Sequence, residues 1–377
     1  MATGTGAAAS RPLPAGAGEP TRGKPTAGNA GPRPGASCSQ RRYLVNDPGR
    51  LRDELIQGYA ATWPGLLRRT SEGLIVRRRR KRRGRVSLLI GNGIGHEPAM
   101  MGLVGHGLFD VNVPGGIFAA PPPAAIAHGI READRGAGVL VCVSNHSGDV
   151  LNAEMAVELL GPSGPACKIA VLGEDISSGN AANGGQRRGG PGLFFVWKIT
   201  GAAAEAGYDL EGCARVAALA SDRSGSLSAT IRGTVNPETG QPTADVPDGQ
   251  ILLGTGVHGD GTGSLLDWTS ARKLSCVMVD RLAAALSLGP DDRCLTMVND
   301  AGAMSVAETT LVHMGVLQEL HRRGVAVVGS WAGRYATTLA TAGLAVGLCK
   351  VDDELLRLWR APCHAPALSS WGSGPVG

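Results

Sequence analysis

A glycine-rich break in an apolar run, at residues 88–98, most constrains how this chain folds. It spells Leu-Leu-Ile-Gly-Asn-Gly-Ile-Gly-His-Glu-Pro. The aliphatic residues from Val86 to Ile90 are typical of a buried strand, and the residues from Glu97 predict a helix with Pro98 in its first turn. A strand that enters a helix through a glycine turn places that turn at the carboxyl end of a sheet, where open α/β folds bind ligands.

Strand-like and helix-like segments alternate along the chain and predict the α/β class. Repeated βα units imply a mainly parallel sheet with helices on its faces, and the pattern changes to short strands after residue 224. We therefore expect two α/β domains with mainly parallel or mixed sheets, preceded by a disordered N-terminal tail. The expected bounds are 1–42 for the tail, 43–224 and 225–366 for the two domains, and 367–377 for a second tail.

The first 85 residues differ in composition from the rest. Residues 1–42 are rich in Ala, Gly and Pro, so they cannot bury enough apolar surface to offset their ordering entropy. Residues 1–85 contain 18 of the 37 Lys and Arg but only 5 of the 32 Asp and Glu, which leaves a net acidic body. A nucleic-acid-binding core is therefore not indicated. The basic run Arg77 to Arg83 is predicted to be a solvated connector, with an acidic partner, RNA or a targeting signal as functional alternatives.

Cysteine usage and hydropathy indicate the cytoplasm. The eight cysteines show no C-x-x-C or Cys/His ligand spacing and resemble small core residues. We find no charged-then-apolar leader and no run of about 18 apolar residues, so neither secretion nor membrane spanning is predicted.

Two helical predictions depend on periodicity alone. Leu151, Met155 and Leu159 share one face of a helix that begins near Val150, which predicts that this face is the apolar one. The stretch from Ser264 to Leu288 is predicted to be one long helical segment.

Three turns follow apolar strands and carry polar side chains, at residues 91–96, 144–149 and 254–260. If the strands end around one crevice, His96, Asp149 and His258 converge there. They would supply a general base, a hydrogen-bonding partner and a nucleophilic imidazole.

Each of these turns also has a plainer interpretation. Gly254-x-Gly256-x-x-Gly259 fits a dinucleotide-binding pattern, although that pattern is weak without a βαβ context. Asp149 precedes a helix and could serve as its N-cap, and His96 could be a turn-stabilising donor. No metal site is predicted, because four nearby acidic and histidine residues match no usual zinc spacing: Glu97, His106, Asp110 and His128.

These motifs together resemble the substrate-binding subunit, or N-terminal domain, of dihydroxyacetone kinase. The family turn G-G-G-S-G-H-E-P is similar to residues 91–98, N-x-[ST]-G-D-[VI]-L-N to residues 145–152, and G-x-G-[IV]-H-G to residues 254–259. Further similarity lies at residues 198–207 and at residues 352–363. The ordered matches run from about Asn46 to Pro366.

The resemblance implies a role for each motif residue in holding a short-chain sugar while its terminal hydroxyl is phosphorylated. His258 matches the histidine that adds to the substrate carbonyl as a hemiaminal. Asp149 matches the aspartate that activates the hydroxyl, and His96 matches a histidine that hydrogen-bonds substrate. Three further positions are expected to bind substrate: Gly93, Gly95 and Ser144.

The resemblance also implies partners. In the family, a separate helical domain holds the nucleotide and its magnesium ions, and only eleven residues follow Pro366 here. We expect no cofactor in this chain, ATP or ADP with magnesium on a nucleotide-binding helical kinase subunit, and no transfer without that partner. The other expected partners are dihydroxyacetone or a similar small ketose and a second copy in a homodimer, with no membrane or nucleic acid.

Several departures from the family pattern suggest a divergent member. Ser144 replaces a lysine that touches substrate, Ala120 replaces a serine, and Gly261 replaces a proline. The alternatives are therefore a kinase subunit for another triose or tetrose such as erythrulose, or a non-catalytic ketone-sensing co-regulator. A dinucleotide-dependent oxidoreductase is a more distant one.

Overall fold

Helices alternate with strands of two six-stranded sheets from Tyr43 onward. The computed structural model describes residues 43–178, 187–257 and 263–371, so the predicted N-terminal tail lies outside the described residues. The helices are α1 (Leu51–Thr62), α2 (Pro123–Ala133), α3 (Ser147–Leu160), α4 (Leu193–Ala206), α5 (Leu210–Asp222), α6 (Ala271–Ala285), α7 (Val306–Arg322) and α8 (Asp353–Trp359). None of the helices in these ranges combines the length and the apolar composition that crossing a bilayer requires.

The first sheet is mainly parallel. Its strands are β1 (Leu67–Arg69), β2 (Ile75–Arg77), β3 (Ser87–Ile94), β4 (Val111–Ile117), β5 (Val139–Ser144) and β6 (Cys167–Leu172). They lie in the order β1-β2-β4-β3-β5-β6, and β4, β3, β5 and β6 are mutually parallel. The βα units predicted from the sequence fit this arrangement, because parallel neighbours need a long crossover connection, usually a helix. Between β3 and β4 that connection consists of turns and a short 3-10 helix, Met101–Leu103.

The second sheet is mainly antiparallel. Its strands are β7 (Ser224–Arg232), β8 (Gln250–Leu253), β9 (Ser264–Asp267), β10 (Arg293–Asp300), β11 (Ala326–Gly333) and β12 (Ala342–Lys350), and β13 (Cys363–Ala365) pairs with β14 (Leu368–Ser370) in a separate hairpin. Within the order β11-β10-β12-β7-β8-β9, β10 and β11 are the parallel pair. The predicted class of α/β with mainly parallel or mixed sheets is confirmed.

Helix α4 lies between the two sheets and contacts strands of both. Every residue from Leu193 to Ala204 is buried, as expected for a mainly apolar helix, and the one charged side chain in this stretch, Lys198, donates to the carbonyl oxygens of Leu358 and Ala361. Strand β3 shows how the sheet separates two cores, because Leu88 and Ile90 face the core around α4 whereas Leu89 faces the core beneath α2 and α3. A third core covers the other face of the second sheet beneath α6 and α7.

Two predicted helices are wrong in part. The helix expected from Glu97 is a series of turns and a short 3-10 helix, Met101–Leu103, and the backbone N–H of Ala99 donates to the distant carbonyl of Tyr335 at 3.1 Å. The stretch from Ser264 begins as strand β9, which pairs with β8, and α6 starts only after the Ser270 hydroxyl accepts from the N–H of Lys273.

The predicted apolar face of α3 is exposed. Leu151, Met155 and Leu159 are 56%, 44% and 57% exposed, whereas Ala153 and Ala156 are buried. The small alanine side chains let α3 approach the sheet closely, so the helix turns its larger apolar residues outward.

The basic run is not simply a solvated connector. Arg77 and Lys81 are buried, and they bind the two carboxylate oxygens of Asp110 at 3.0 and 2.9 Å. Arg77 also binds Glu205 at 2.5 Å. The run therefore ties the chain preceding β3 to the segment before β4, because a buried charge requires a partner.

Candidate functional site

The carboxyl ends of β3 and β5 form one wall of a cavity. Because the two strands are parallel neighbours, the residues that follow them meet at the same edge of the first sheet. His96 follows β3, and Asp149 lies in the first turn of α3 after β5. The opposite wall comes from residues around the second sheet. The lining residues are Asn92, Gly93, His96, Met100, Ser144, His146, Asp149, Gly189, Gly190, Trp197, Val257 and Ala336.

Four of the predicted site residues border this cavity: Gly93, His96, Ser144 and Asp149. Gly95 does not line it. His258 lies outside the described residues, as does Gly261, but Val257, which precedes His258, lines the cavity.

The glycines of the opening turn allow a close approach of the segment 118–120. A Cβ on Gly93 would lie 2.6 Å from the backbone nitrogen of Ala119, and one on Gly95 would lie 2.7 Å from the Phe118 ring. Gly95 also has a φ of 103°, which side-chain-bearing residues rarely adopt. Strand β3 includes the first two glycines of the turn, Gly91 and Gly93. The close approach of residues 118–120 to this turn shapes the wall that presents His96.

We expect Gly93→Ala to destabilise the fold by about 2 to 4 kcal/mol, since the clash is with backbone atoms that cannot rotate away. Gly58→Ala is a matched control, because Gly58 lies in α1 with open space around it and alanine favours helices by about 1 kcal/mol. Urea unfolding of both variants measures the difference. Equal stability of the two variants would contradict this packing role.

His96 is a buried, neutral imidazole whose tautomer is determined by its partner. Its Nδ1 lies 2.7 Å from the carbonyl oxygen of Thr337, which can only accept, so Nδ1 carries the proton and donates. Burial lowers the pKa of His96 to about 4, and the nearby His146 contributes in the same direction. At neutral pH, Nε2 is therefore the acceptor nitrogen, suited to a hydrogen bond from a hydroxyl group.

Asp149 is the third residue of α3, and its side chain does not cap the helix. The N-cap is His146, and no side-chain capping bond is present at this end. The Oδ1 atom of Asp149 is buried and has no hydrogen-bond partner among the described residues. Burial raises the pKa of Asp149 to about 7, whereas the positive end of the helix dipole favours its ionised form. This carboxyl is thus suited to take up a proton near neutral pH.

The residues between β5 and α3 complete this side of the cavity. His146 Nε2 lies 3.2 Å from the carbonyl oxygen of Gly189, and the Asn145 side chain donates to the carbonyl of Arg187 at 2.8 Å. Ser144 borders the cavity where the family has a lysine. Sequence reasoning did not identify His146, which occupies the variable position of N-x-[ST]-G-D.

A buried glutamate supports the Gly189–Gly190 wall. The Oε1 atom of Glu174 accepts from the backbone N–H groups of Gly190 and Leu193, each at 2.9 Å, and its Oε2 accepts from the Ser226 hydroxyl at 2.6 Å. Burial raises the pKa of Glu174 to about 8 despite these bonds. Glu174 lies behind the wall and does not border the cavity itself.

Comparison with known proteins identifies the family. A model of the Dak1 domain matches residues 57–367. This chain belongs to the Dak1 domain family of dihydroxyacetone kinases. The resemblance inferred from the ordered motifs is thereby confirmed.

Two curated relatives illustrate the range of this family. The chain is 35% identical over 337 residues to L-erythrulose kinase of Pectobacterium atrosepticum, a match that covers 88% of this chain and 57% of that protein. It is 31% identical over 355 residues to the dihydroxyacetone-binding subunit of the PEP-dependent dihydroxyacetone kinase of Escherichia coli K12, covering 88% of this chain and 99% of the subunit. The chain thus spans little more than half of the erythrulose kinase but nearly the whole of the E. coli subunit.

Solved structures agree with the fold. The dihydroxyacetone kinase of C. freundii matches with a TM-score of 0.78 and 28% identity, over 87% of this chain and 60% of that one. A dihydroxyacetone kinase operon co-activator matches with a TM-score of 0.78 and 25% identity, over 84% and 98% of the two chains.

Proposed function

We propose that this chain holds a three- or four-carbon ketose, such as dihydroxyacetone or erythrulose, while a kinase phosphorylates the terminal hydroxyl of the sugar. The observation that carries the proposal is that the Oδ1 atom of Asp149 has no hydrogen-bond partner among the described residues, and that Asp149 borders the same cavity as His96, whose acceptor nitrogen is buried. Family membership and the names of the relatives support it.

Asp149 acts as the general base in this proposal. A sugar hydroxyl donates its hydrogen bond to Asp149 Oδ1, and the carboxylate takes the proton as the hydroxyl oxygen attacks the phosphoryl group. A carboxyl with a pKa of about 7 is ionised often enough to accept that proton near neutral pH and is basic enough to hold it. His96 fixes the sugar by accepting from a second hydroxyl.

The phosphoryl group comes from ATP held with magnesium on a partner subunit or domain. A partner that carries ADP must first have that ADP phosphorylated to ATP by a phosphotransferase protein. Within residues 43–178, 187–257 and 263–371, no group of three His, Cys, Asp or Glu side chains is arranged to hold a metal ion. A structure of the C. freundii kinase is a complex with AMP-PNP and magnesium, and this chain matches only 61% of that one.

His258 anchors the ketone carbonyl in this proposal, as the family resemblance implies. A nitrogen of its imidazole bonds to the carbonyl carbon to give a hemiaminal, and the imidazole N–H proton ends on the former carbonyl oxygen. Nothing is lost in this addition, so the adduct carries the full mass of the sugar. Such capture requires a carbonyl group, so glycerol, which has none, cannot form the adduct.

Replacing His96 with Ala is expected to raise KM for the ketose about tenfold or more, because the substitution removes the buried nitrogen that accepts a hydrogen bond from the sugar. We expect kcat to change less. Since the pKa of His96 is about 4, wild-type KM should stay constant from pH 8 down to about pH 5 as far as this residue is concerned. Steady-state kinetics across that range measures both effects. If KM of the wild type rose as pH fell through about 6.5, and KM of His96→Ala did not, this histidine would not be held neutral.

Ketose-dependent release of ADP tests the proposed function. The chain is mixed with a nucleotide-binding kinase subunit, ATP, magnesium and a panel of triose and tetrose ketones and aldehydes. We expect turnover with at least one ketose and none with glycerol. Absence of turnover with the whole panel, while a known Dak1 protein is active with the same subunit, would overturn the proposal.

A second candidate function is a ketone-sensing co-regulator without catalysis. The match to an operon co-activator over 98% of its length and the serine at position 144 favour it. In cells, Asp149→Asn should abolish a kinase phenotype and leave a regulatory one intact. The homodimer and the cytoplasmic location remain proposals, which light scattering and cell fractionation would test.

A further inference from the structure

We propose that Trp197 contacts the substrate, with its indole N–H donating a hydrogen bond to an oxygen of the bound ketose. This inference rests on the proposed function and adds to it a residue that determines which sugars fit. Trp197 comes from α4, the helix between the sheets, and borders the cavity that holds His96 and Asp149.

The ring of Trp197 is held by packing, and its polar atom is left over. The residue is 2% exposed, and its ring lies 5.8 Å from that of Phe109, centroid to centroid. The Nε1 atom is buried and has no hydrogen-bond partner within the described residues. Buried indole N–H groups are usually paired, because an unpaired donor forfeits its hydrogen bonds to water. A donor left over at a cavity wall indicates a ligand that accepts from it.

Trp197 Nε1 and Asp149 Oδ1 form a complementary set. Both are buried, both lack a partner within the described residues, and both residues line the same cavity. One is a donor and the other an acceptor, so they match a molecule that carries a hydroxyl group and a second oxygen. A hydroxyketone has both. A carboxylic acid would pair with the indole but would be repelled by ionised Asp149.

Nuclear magnetic resonance of the six indole N–H groups tests the contact directly. The Trp197 resonance is identified by its absence from the Trp197→Phe spectrum. We expect it to shift downfield when dihydroxyacetone or erythrulose is added, and to exchange more slowly with solvent. An unmoved resonance at saturating ketose would overturn the contact.

Kinetics supply the second test. Trp197→Phe keeps an aromatic ring and removes the donor, so we expect KM for the ketose to rise about tenfold with a smaller change in kcat. Should this variant not fold, benzothienylalanine at position 197 removes the N–H and preserves the shape. Trp331→Phe is the matched control, since Trp331 contacts Trp359 away from the cavity, and its KM should equal wild type.

The outcomes separate the two proposals. If wild type phosphorylates a ketose but KM is unchanged without the indole N–H, the Trp197 contact is wrong and the proposed function stands. If no triose or tetrose binds or is phosphorylated, both fall.

Discussion

Replacing Asp149 with Asn is expected to lower kcat for ketose phosphorylation about a thousandfold, while the dissociation constant of the ketose changes less than about tenfold. Asparagine cannot take the proton of the attacking hydroxyl, but its amide oxygen still accepts a hydrogen bond from it. Quenched-flow kinetics for transfer and calorimetry for binding separate the two effects. Glu154→Gln is a matched control, because Glu154 is exposed on the same helix and away from the cavity.

The same substitution should alter the pH dependence of stability in a defined direction. Burial raises the pKa of Asp149 from 3.8 to about 7, so the folded protein binds this proton more tightly than the unfolded chain. The stabilisation of the folded state by this bound proton is fully present below about pH 4 and is lost as pH rises to about 7. Asparagine does not titrate. The Tm of Asp149→Asn relative to wild type should therefore rise between pH 4 and 7 and level off above.

Two results would contradict this account of Asp149. A loss of kcat smaller than about tenfold would exclude it as the general base. A Tm difference that is independent of pH from 4 to 8 would show that its carboxyl titrates as an ordinary solvated group.

Replacing His258 with Asn is expected to abolish retention of the ketose as a covalent adduct and to lower kcat/KM at least a hundredfold. The imidazole nitrogen that would add to the carbonyl is lost. A native mass spectrum of the chain with each ketone should show wild type heavier by the full mass of the sugar and the variant without this addition. His321→Asn, at an exposed site near the end of α7, should behave as wild type. Equal adduct formation by His258→Asn would show that the anchor lies elsewhere.

The strand ends that bring His96 and Asp149 together could be predicted from the sequence. Apolar runs that stop at glycine or polar turns mark β3 and β5, and parallel neighbours bring their carboxyl ends to one edge. Helix α4 could be predicted equally well from the sequence, because its apolar run begins after a glycine turn and ends at Gly207, which has a φ of 92°.

Other features depend on contacts that no local pattern contains. Ala99 donates to Tyr335, which is distant in sequence, and the segment after Glu97 forms turns and a short 3-10 helix in place of the expected helix. Arg77 and Lys81 are buried because Asp110 lies between them in the fold. Periodicity could not show that α3 approaches its sheet with alanines.

Trp197 is the clearest case of a site residue that the sequence conceals. In a helix that is buried on all sides, the pattern gives no signal of which side chain borders a cavity. His146 is concealed for another reason, since it occupies the variable position of its motif.

The identity of the reaction product tests the central claim most directly. Phosphorus NMR of the mixture of chain, nucleotide-binding subunit, ATP, magnesium and one ketose shows whether a phosphate ester forms and on which carbon. We predict an ester on the terminal hydroxyl of dihydroxyacetone or erythrulose, formed by wild type and not by Asp149→Asn. A ketose that binds in the cavity and is recovered without phosphate would contradict the claim.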